Sequence, residues 1–543
     1  MPTITIDKKD LLELIGKEVD DKILMEKIPM MGTELESFDD EITVEIFPDR
    51  PDMLSVEGFA LALQGFLNIK TGLYHFELSD SEYRASIDEK VKKVRPDAVC
   101  AVVKDIELND AAIKSLMQVQ EKLHLTHGRN RKRVAIGVHD LDKIDFPVCY
   151  TTMPKDYRFI PLECNEEMNL REILQKHKKG VEYKHLLEKY EEYPLWIDSK
   201  EQVLSMPPII NSEHTKVTET TKSLFIDITG YGLKYLKQAL NILIMSLAIR
   251  KGKIYSVNVK DGNREYRYPD MTPKRMEIDV IYTNKVLGLD LSSNEISEFL
   301  KRMRYGIEGK NVLIPAYRAD IMHKIDIVED VAIAYGFNNF KPEIPNISTI
   351  GENDPFEEFL RIIRNLVIGF KLTEIKNYIL TNKEDLFKKM NLEEERIAEM
   401  QNALTVEYNV LRNSLIQGLM RTYSINTHYE YPQNIFEIGE VFRIENGKIK
   451  EEVNLSVGIC HEKANFTECK EILNSFFKNL GIKYDIEEKE RKCFIKGRAG
   501  SIIIGGKQIG YIGEIHPQIL SNWNIGMPVA IFEINLNEVY ERV

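Results

Sequence analysis

The sequence has few cysteines and lacks the paired spacing that would give them a structural role. Only six of its 543 residues are cysteine, and no two of them form a C-x-x-C pair. This scatter argues against a zinc ribbon, whose ligands come in such pairs, and against a disulfide framework. We therefore expect free thiols in a reducing compartment.

A long apolar run is also missing. The longest, ALNILIMSLAI at residues 239–249, is interrupted by Asn241 and Ser246. It has about half of the roughly 20 residues that a membrane-spanning helix needs. The first residues, MPTITIDKK, are charged from Asp7 onward and do not resemble a signal peptide. We expect a cytoplasmic protein without a membrane partner.

Positive charge is not in excess. The chain has 73 Lys and Arg against 86 Asp and Glu, a formal net charge of −13. No global field therefore draws it to nucleic acid, and any such contact requires a local basic patch. One candidate is HLTHGRNRKR, residues 124–133, which ends at Arg133 just before a strand-like run. It is either a solvated loop or a phosphate contact.

The chain is long enough for three or four domains. Residues 1–84 read as a small N-terminal α+β unit, and residues 85–268 as an α/β domain of strand-like runs and polar loops. Residues 270–342 combine helices with a small hairpin, as in a winged-helix-like module. A linker, KPEIPNISTIGENDP, precedes residues 352–543, which predict a largely antiparallel sheet with flanking helices. One of these helices is predicted over 405–429. The fold class is α+β, multidomain.

A polar loop, PPIINSEHTKVTET, turns sharply at two prolines and then presents Asn211, Ser212, Glu213, His214 and Thr215. Asn, Ser and Thr favour turns because their side chains bond their own backbone, so ordinary turn chemistry explains the pattern. A polar pocket that positions a water or a ribose explains it equally well.

Four acids lie in PAYRADIMHKIDIVEDVAIAYGF, residues 315–337: Asp320, Asp326, Glu329 and Asp330. From Asp326 onward the spacing is helical, and the last three acids are neighbours with no basic partner a turn away. A helix starting near Asp326 and ending at Gly336 would stabilise them through its dipole. A Mg²⁺ ion, which takes oxygen ligands, would do the same. The local sequence alone favours the dipole.

Four long motifs in one order carry a resemblance to a known family. DRPDMLSVEGFALAL, PPIINSEHTKV, PAYRADIMHKIDIVEDVAIAYGFNN and TVEYNVLRNSLIQGLM with NIFEIGEVF together resemble the beta subunit of phenylalanyl-tRNA synthetase, archaeal and eukaryotic cytosolic type. The resemblance covers essentially the whole chain. It implies a class II synthetase of two alpha and two beta subunits, in which the alpha subunit uses ATP to attach phenylalanine to tRNA-Phe.

The resemblance also implies two roles for the beta subunit. One domain is catalytic-like without activity, and PVAIFEINLNEVY at 528–540 accordingly lacks the glycines and the arginine of a class II phosphate clamp. Another domain hydrolyses tyrosine wrongly attached to the tRNA, which a hydrophobic pocket rejects only weakly, by about 10². The tentative editing residues are Asn211, Ser212, His214, His139 and Arg133, with Asp140 beside His139.

The same family carries acids at offsets 0, 6, 9 and 10 that hold a Mg²⁺ shared with the alpha subunit. Asp320, Asp326, Glu329 and Asp330 reproduce these offsets, so the resemblance favours the metal over the dipole. Two other functions remain open from the sequence: a non-enzymatic scaffold that docks tRNA, and a free-standing aminoacyl-tRNA hydrolase.

Overall fold

The computed structural model describes residues 2–543 and divides into two units, Met1–Ile344 and Pro345–Val543. The first unit opens with a three-stranded antiparallel sheet in the order β1-β3-β2. In β3, Ile42, Val44 and Ile46 alternate into the core, as the period of two along a strand requires. The elements are β1 (Thr3–Asp7), α1 (Lys8–Ile15), α2 (Asp21–Met30), β2 (Thr33–Phe38), β3 (Glu41–Ile46) and α3 (Val56–Phe66).

Two larger sheets follow, of five strands in the order β4-β15-β6-β14-β7 and of seven in the order β13-β12-β11-β8-β5-β16-β17. Helix α7 packs its apolar residues against the first of them. The strands are β4 (Leu78–Ser79), β5 (Arg84–Ile87), β6 (Asp97–Lys104), β7 (Val134–Asp140), β8 (Val148–Pro154), β9 (Arg158–Phe159), β10 (Met168–Asn169), β11 (Glu192–Ile197), β12 (Val203–Met206), β13 (Ile210–Asn211), β14 (Leu224–Gly230), β15 (Lys253–Tyr255), β16 (Val257–Asp261) and β17 (Arg264–Tyr268). The helices are α4 (Asp110–Leu125), α5 (Leu170–Lys176), α6 (Lys178–Tyr183) and α7 (Leu233–Ile249).

The first unit ends with three helices and a small sheet in the order β18-β20-β19. Ser292 and Glu295 form a capping box that starts α9, because each side chain accepts a hydrogen bond from the other residue's backbone N–H. The elements are β18 (Lys274–Glu277), α8 (Val280–Leu287), α9 (Ser293–Arg302), β19 (Gly306–Glu308), β20 (Asn311–Ile314) and α10 (Lys324–Tyr335).

The second unit is built on a seven-stranded sheet in the order β21-β24-β25-β29-β28-β27-β26, antiparallel except where β21 meets β24. The elements are α11 (Pro355–Ile368), β21 (Thr373–Glu374), β22 (Leu380–Thr381), β23 (Val410–Leu411), α12 (Ile416–Ile425), β24 (Gln433–Glu445), β25 (Lys448–Cys460), α13 (Phe466–Leu480), β26 (Asp485–Glu488), β27 (Phe494–Ile504), β28 (Lys507–Ile515), α14 (Pro517–Asn522), β29 (Val529–Asn535) and α15 (Leu536–Tyr540).

The helix predicted over 405–429 is wrong at its N-terminal end, since only Ile416–Ile425 is helical. Val410 and Leu411 instead pair with β22, and the Arg412 side chain is held by Glu437 through a bond of 2.6 Å. Tertiary contacts thus override a weak local preference, as β-branched residues are poor helix formers. Across residues 2–543, helices that combine the length and the apolar character needed to cross a membrane are absent. The chain is a mixed α+β protein with several sheets.

Candidate active site and acidic cluster

A cavity of about 660 Å³ lies in the first unit, lined by residues from α4, β7, β14 and the loop after β12. Ligand pockets commonly have this size and an apolar lining with a few polar groups. Here Ile113, Leu116 and Ile209 are among the apolar residues, while Ser205 and Asp227 are polar. The cavity therefore has the size and the mixed lining of a small-molecule site.

The polar side chains meet around one buried carboxylate. Asp227 lies on β14 and is 1% exposed, and His139 on β7 is fully buried. The two atoms His139 Nε2 and Asp227 Oδ2 are 2.8 Å apart, and Ser205 Oγ donates to the same oxygen at 3.4 Å. On its other side, His139 Nδ1 lies 2.8 Å from Thr215 Oγ1. A carboxylate at Asp227 accepts the Nε2–H, so the Nδ1 of a neutral ring accepts the threonine proton.

Gly137 makes this arrangement possible. It lies opposite Asp227 in the pairing of β7 with β14. A methyl group on Gly137 would overlap Asp227 Oδ2 and lie 2.7 Å from His139 Nε2, which real Cβ atoms essentially never do. The position thus requires glycine because the two side chains approach the backbone so closely.

The structure gathers only some of the predicted editing residues at this cavity. Asn211 lines it and donates from Nδ2 to the Val138 carbonyl at 3.2 Å, and His139 lies directly behind Asp227. Ser212 is buried and accepts from the His214 backbone N–H, which caps the turn Glu213–Thr215. The His214 side chain is exposed and lies 3.2 Å from the Lys143 carbonyl. It is not part of the lining.

Arg133 is also absent from the lining, in the part of the chain that the structure describes. Its guanidinium lies over the Tyr235 ring, 4.1 Å from the centroid. From the same basic loop, Arg131 does line the cavity. Its Nη1 donates to the Ile209 carbonyl at 2.8 Å, and its guanidinium lies 4.7 Å from the Tyr183 centroid. Lys178, Lys179 and Lys216 join Arg131 in the lining, together with the acids Glu121, Glu163 and Asp227.

The loop that carries Arg131 has an unusual backbone. Arg129, Asn130 and Arg131 have φ values of 50, 53 and 61°, three consecutive non-glycine residues in the left-handed region. Each such residue costs about 1–3 kcal/mol and persists only where its surroundings enforce it. The bonds from Arg131 to the backbone after Pro207 supply part of that enforcement.

Sequence reasoning did not single out Asp227, Ser205 or Arg131. One signal was present: Asp227 is the only acid in the otherwise apolar and hydroxylic run LFIDITG, and a charge in a buried strand needs a partner. That partner, His139, is on another strand 88 residues earlier. The pairing of β7 with β14 is what brings the two together.

His124 occupies another wall of the cavity, where burial lowers its pKa to about 4. Its Nε2 accepts from the Ile136 backbone N–H at 2.8 Å, which also favours the neutral ring. Glu121 lies one turn before it on α4. The His124 ring beside it, with Arg131 and Lys179, lowers the Glu121 pKa to about 2 against the opposing effect of burial.

The four acids near α10 have separate environments. Arg318 donates from Nε and Nη2 to Asp320, and its Nη2 reaches Asp330 Oδ2 at 2.7 Å. The Tyr305 hydroxyl donates to the same Asp330 oxygen. The expectation that the last three acids lack a basic partner is therefore wrong for Asp330, because the Arg318 side chain reaches it from the segment before the helix.

Asp326 caps the helix. Its Oδ2 accepts from the backbone N–H groups of Met322 and His323, both at 2.7 Å, and α10 begins at Lys324, before Asp326. Glu329 is exposed, and its pKa is raised by partial burial and then by the charges of Asp330, Asp49, Asp326 and Asp320. Burial raises the pKa of Asp49 as well, and Asp320 adds to the shift.

Within residues 2–543, three or more His, Cys, Asp or Glu side chains are nowhere arranged as a complete metal site. The residues around Glu329 nevertheless fit part of one, since partial burial and then the neighbouring acids raise its pKa. Mg²⁺ commonly binds through one or two carboxylates plus waters or another molecule's groups. A cation here would require further ligands from outside the chain.

Comparison with known families places two regions of the chain, residues 276–337 and 341–536, in one class of protein, the aminoacyl-tRNA synthetases. Residues 81–242 match the family model described as B3/4 domain, and residues 276–337 match the tRNA synthetase B5 domain. Residues 341–536 match the phenylalanyl tRNA synthetase beta chain CLM domain.

Full-length relatives narrow the class to one family. The chain is 44% identical over 560 aligned positions to the phenylalanine–tRNA ligase beta subunit of Pyrococcus abyssi, with 100% of both chains covered. It is 41% identical over 549 positions to that of Archaeoglobus fulgidus, covering 100% of this chain and 99% of the relative. The chain belongs to the phenylalanine–tRNA ligase beta subunit family.

A solved structure is similar to part of the chain. It is the crystal structure of an N-terminal fragment of the phenylalanyl-tRNA synthetase beta subunit from Pyrococcus horikoshii. The TM-score is 0.60 at 42% identity, and the match covers 62% of this chain and 99% of the fragment.

Proposed function

We propose that the cavity of the first unit hydrolyses tyrosine wrongly attached to tRNA-Phe, within a phenylalanine–tRNA ligase of two alpha and two beta chains. The observation that carries the proposal is the Asp227 carboxylate in the lining, held from behind by His139. Both hydrogen bonds that described residues make with Asp227 end on Oδ2, so Oδ1 is available to a ligand hydroxyl.

This geometry offers a basis for selecting tyrosine. A phenol O–H that reaches Asp227 forms a hydrogen bond to a charged acceptor, whereas phenylalanine in the same place leaves a buried carboxylate facing an apolar ring. Asp227 would keep its bonds to His139 and Ser205, but its Oδ1 would face the ring without a donor, and sites built to hydrogen-bond a hydroxyl discriminate strongly for this reason. The fixed His139 ring keeps the carboxylate oriented.

The reaction itself is ester hydrolysis. A water oxygen attacks the carbonyl carbon, the bond to the ribose oxygen breaks, and that oxygen takes up a proton. Asn211, Thr215 and Ser205 are the polar groups of the lining that we propose to orient the water or the ribose. The lining has four basic side chains, Arg131, Lys178, Lys179 and Lys216, against three acids, and we propose that these four contact phosphates of the acceptor end.

The other parts of the chain receive supporting roles. We propose a structural domain at 1–84, an editing domain at 85–268, a winged-helix-like domain at 270–342 and a class II synthetase-like domain without catalytic activity at 352–543. Residues 528–540 form β29 and α15 without an arginine, so we assign aminoacylation and ATP to the alpha chain, and the complex to the cytoplasm. Asp320, Asp326, Glu329 and Asp330 would contribute to a Mg²⁺ shared with that chain, Glu329 being the one with a free carboxylate.

Deacylation of purified Tyr-tRNA-Phe by the co-expressed alpha and beta chains tests the editing proposal. We expect Asp227→Asn to slow hydrolysis at least tenfold, about 1.4 kcal/mol of barrier, and to leave phenylalanylation nearly unchanged. His214→Ala is the control, because His214 precedes the lining residue Thr215 in the chain but is itself outside the lining.

Each rival function gives a different result in this assay. A scaffold that only docks tRNA would hydrolyse nothing. A free-standing hydrolase would work at full rate without the alpha chain. If the folded Asp227→Asn complex deacylated Tyr-tRNA-Phe at the wild-type rate, the editing site would lie outside this cavity.

A further inference from the structure

The second unit contains a cavity of its own, of about 620 Å³, over one face of its seven-stranded sheet. Glu452 and Asn454 on β25 and Glu533 on β29 form its floor, and residues 413–417 form part of its wall. The editing proposal does not involve this cavity, since it lies in the other unit and has a polar lining.

Four acceptor atoms in the lining have no hydrogen-bond partner among residues 2–543: Asn413 Oδ1, Gln417 Oε1, Glu452 Oε2 and Asn454 Oδ1. Asn454 is 2% exposed, Gln417 6% and Glu452 7%. Buried polar atoms are almost always paired, so a cluster of unpaired acceptors in one cavity requires an explanation.

Exchanging the oxygen and nitrogen of the Asn413, Gln417 and Asn454 side chains by a 180° rotation does not pair these acceptors, because the NH₂ groups already have partners. Asn454 Nδ2 donates to Glu533 Oε1 and Asn413 Nδ2 donates to Glu395 Oε1, both at 2.6 Å. Gln417 Nε2 points at the Leu386 carbonyl, 3.5 Å away. The network therefore fixes the oxygens as the groups left without donors.

The basic side chains of the lining are, by contrast, occupied. Lys450 Nζ lies 2.8 Å from Glu452 Oε1, and Lys507 Nζ lies 2.6 Å from Glu538 Oε1. Arg491 covers the Tyr511 ring at 3.7 Å, and Arg443 Nε lies 3.8 Å from Glu452 Oε2, an ion pair that leaves this oxygen without a hydrogen bond. Six glutamates against four Lys and Arg line the cavity. An anionic ligand would find its partners engaged, whereas a donor would find free acceptors.

We propose that this cavity binds a small organic amine through its primary ammonium group. An ammonium supplies three N–H donors and one positive charge, which matches several acceptors beside an excess of carboxylates. A polyamine and the α-ammonium of an amino acid share this chemistry.

Isothermal titration of the full-length chain tests the proposal, with spermidine, L-phenylalanine and ATP as separate probes. Binding of spermidine alone would identify the polyamine as the ligand type, and binding of L-phenylalanine would identify the amino acid. We expect one of the two amines to bind with a Kd of about 1 mM or tighter, and ATP to bind more weakly.

Two variants test whether the amine binds in this cavity. Gln417→Leu removes one unpaired acceptor while losing only a long bond, and Glu452→Gln removes a charge; each should weaken amine binding at least tenfold. Asn434→Leu is the matched control, because Asn434 Oδ1 is also buried and unpaired but lies outside the lining. The proposal would be overturned if neither amine bound at millimolar concentration, since water would then be the partner of these acceptors. It would also be overturned if ATP bound more tightly than both amines, or if all variants bound the amine with equal affinity.

Discussion

At the scale of single residues, Asp227 and His139 show how a buried polar pair is tolerated. Charges taken out of water are costly unless good geometry and further hydrogen bonds compensate. Here His139 contacts both Asp227 and Thr215, while Ser205 gives Asp227 a second donor. Loss of Asp227 or Thr215 would leave a buried His139 ring nitrogen without its partner, so the group should respond to mutation as a unit.

His124 links stability to pH. Its pKa is about 4 in the folded chain against 6.5 for an ordinary histidine, because burial disfavours the charged ring. As the pH falls, the unfolded chain takes up this proton before the folded chain does. The stabilisation that comes from burying the neutral His124 ring is therefore complete above pH 6.5 and is lost as the pH falls through about 4. We expect about 3 kcal/mol of unfolding free energy to be lost over this range, and His124→Gln to remove that dependence.

Tryptophan fluorescence during urea unfolding can measure this effect in the first unit. The chain has two tryptophans, the buried Trp196 and Trp523, so a Trp523→Phe background leaves Trp196 as the reporter. His185→Gln is the control, since His185 is exposed. An equal pH dependence for His124→Gln and for this control would contradict the assignment.

At the scale of elements, the start of α10 depends on Asp326. Its carboxylate pairs the N–H groups of Met322 and His323, which otherwise have no helical partner. We expect Asp326→Ala to cost about 1 kcal/mol of stability. Glu329→Gln should cost nothing, because it removes repulsion from neighbouring acids. Urea unfolding of both variants measures the difference, and equal costs would contradict the capping role.

Local patterns predicted several elements well. The small hairpin predicted within residues 270–342 is formed by β19 and β20, and the largely antiparallel sheet predicted within residues 352–543 is the seven-stranded sheet of the second unit. The predictions that were wrong concern features that depend on contacts between residues far apart in the sequence or outside the local helical period. Val410 and Leu411 lie in the predicted helix but pair with β22 instead, and Arg318 contacts Asp330, which had been expected to lack a basic partner. The cavity itself depends on pairing between β7 and β14, which no local period reveals.

At the scale of the whole molecule, the acidic cluster offers a test of assembly. If a Mg²⁺ joins Asp326 and Glu329 to the alpha chain, chelation should weaken the heterotetramer, and the double variant Asp326→Asn with Glu329→Gln should need more Mg²⁺. Light scattering of both complexes during titration of Mg²⁺ against EDTA measures this. Equal assembly in EDTA would leave Asp326 as a helix cap only.

Residues 341–354 connect the two units without any helix or strand. Ile344, Ile347 and Ile350 are 96, 69 and 99% exposed there. Because such backbone is accessible to proteases, we expect brief digestion to cut within this segment first and to leave two stable fragments, as mass spectrometry would show. First cuts inside either unit would contradict this.

The same segment bears on how the gene can be rearranged. A break in the coding sequence between residues 341 and 354 would interrupt no strand pairing and no core cluster, because the clusters on either side end before it or begin after it. The reading frame could thus be divided into two genes, or could accept an inserted domain at this point, with little loss of folding in either half.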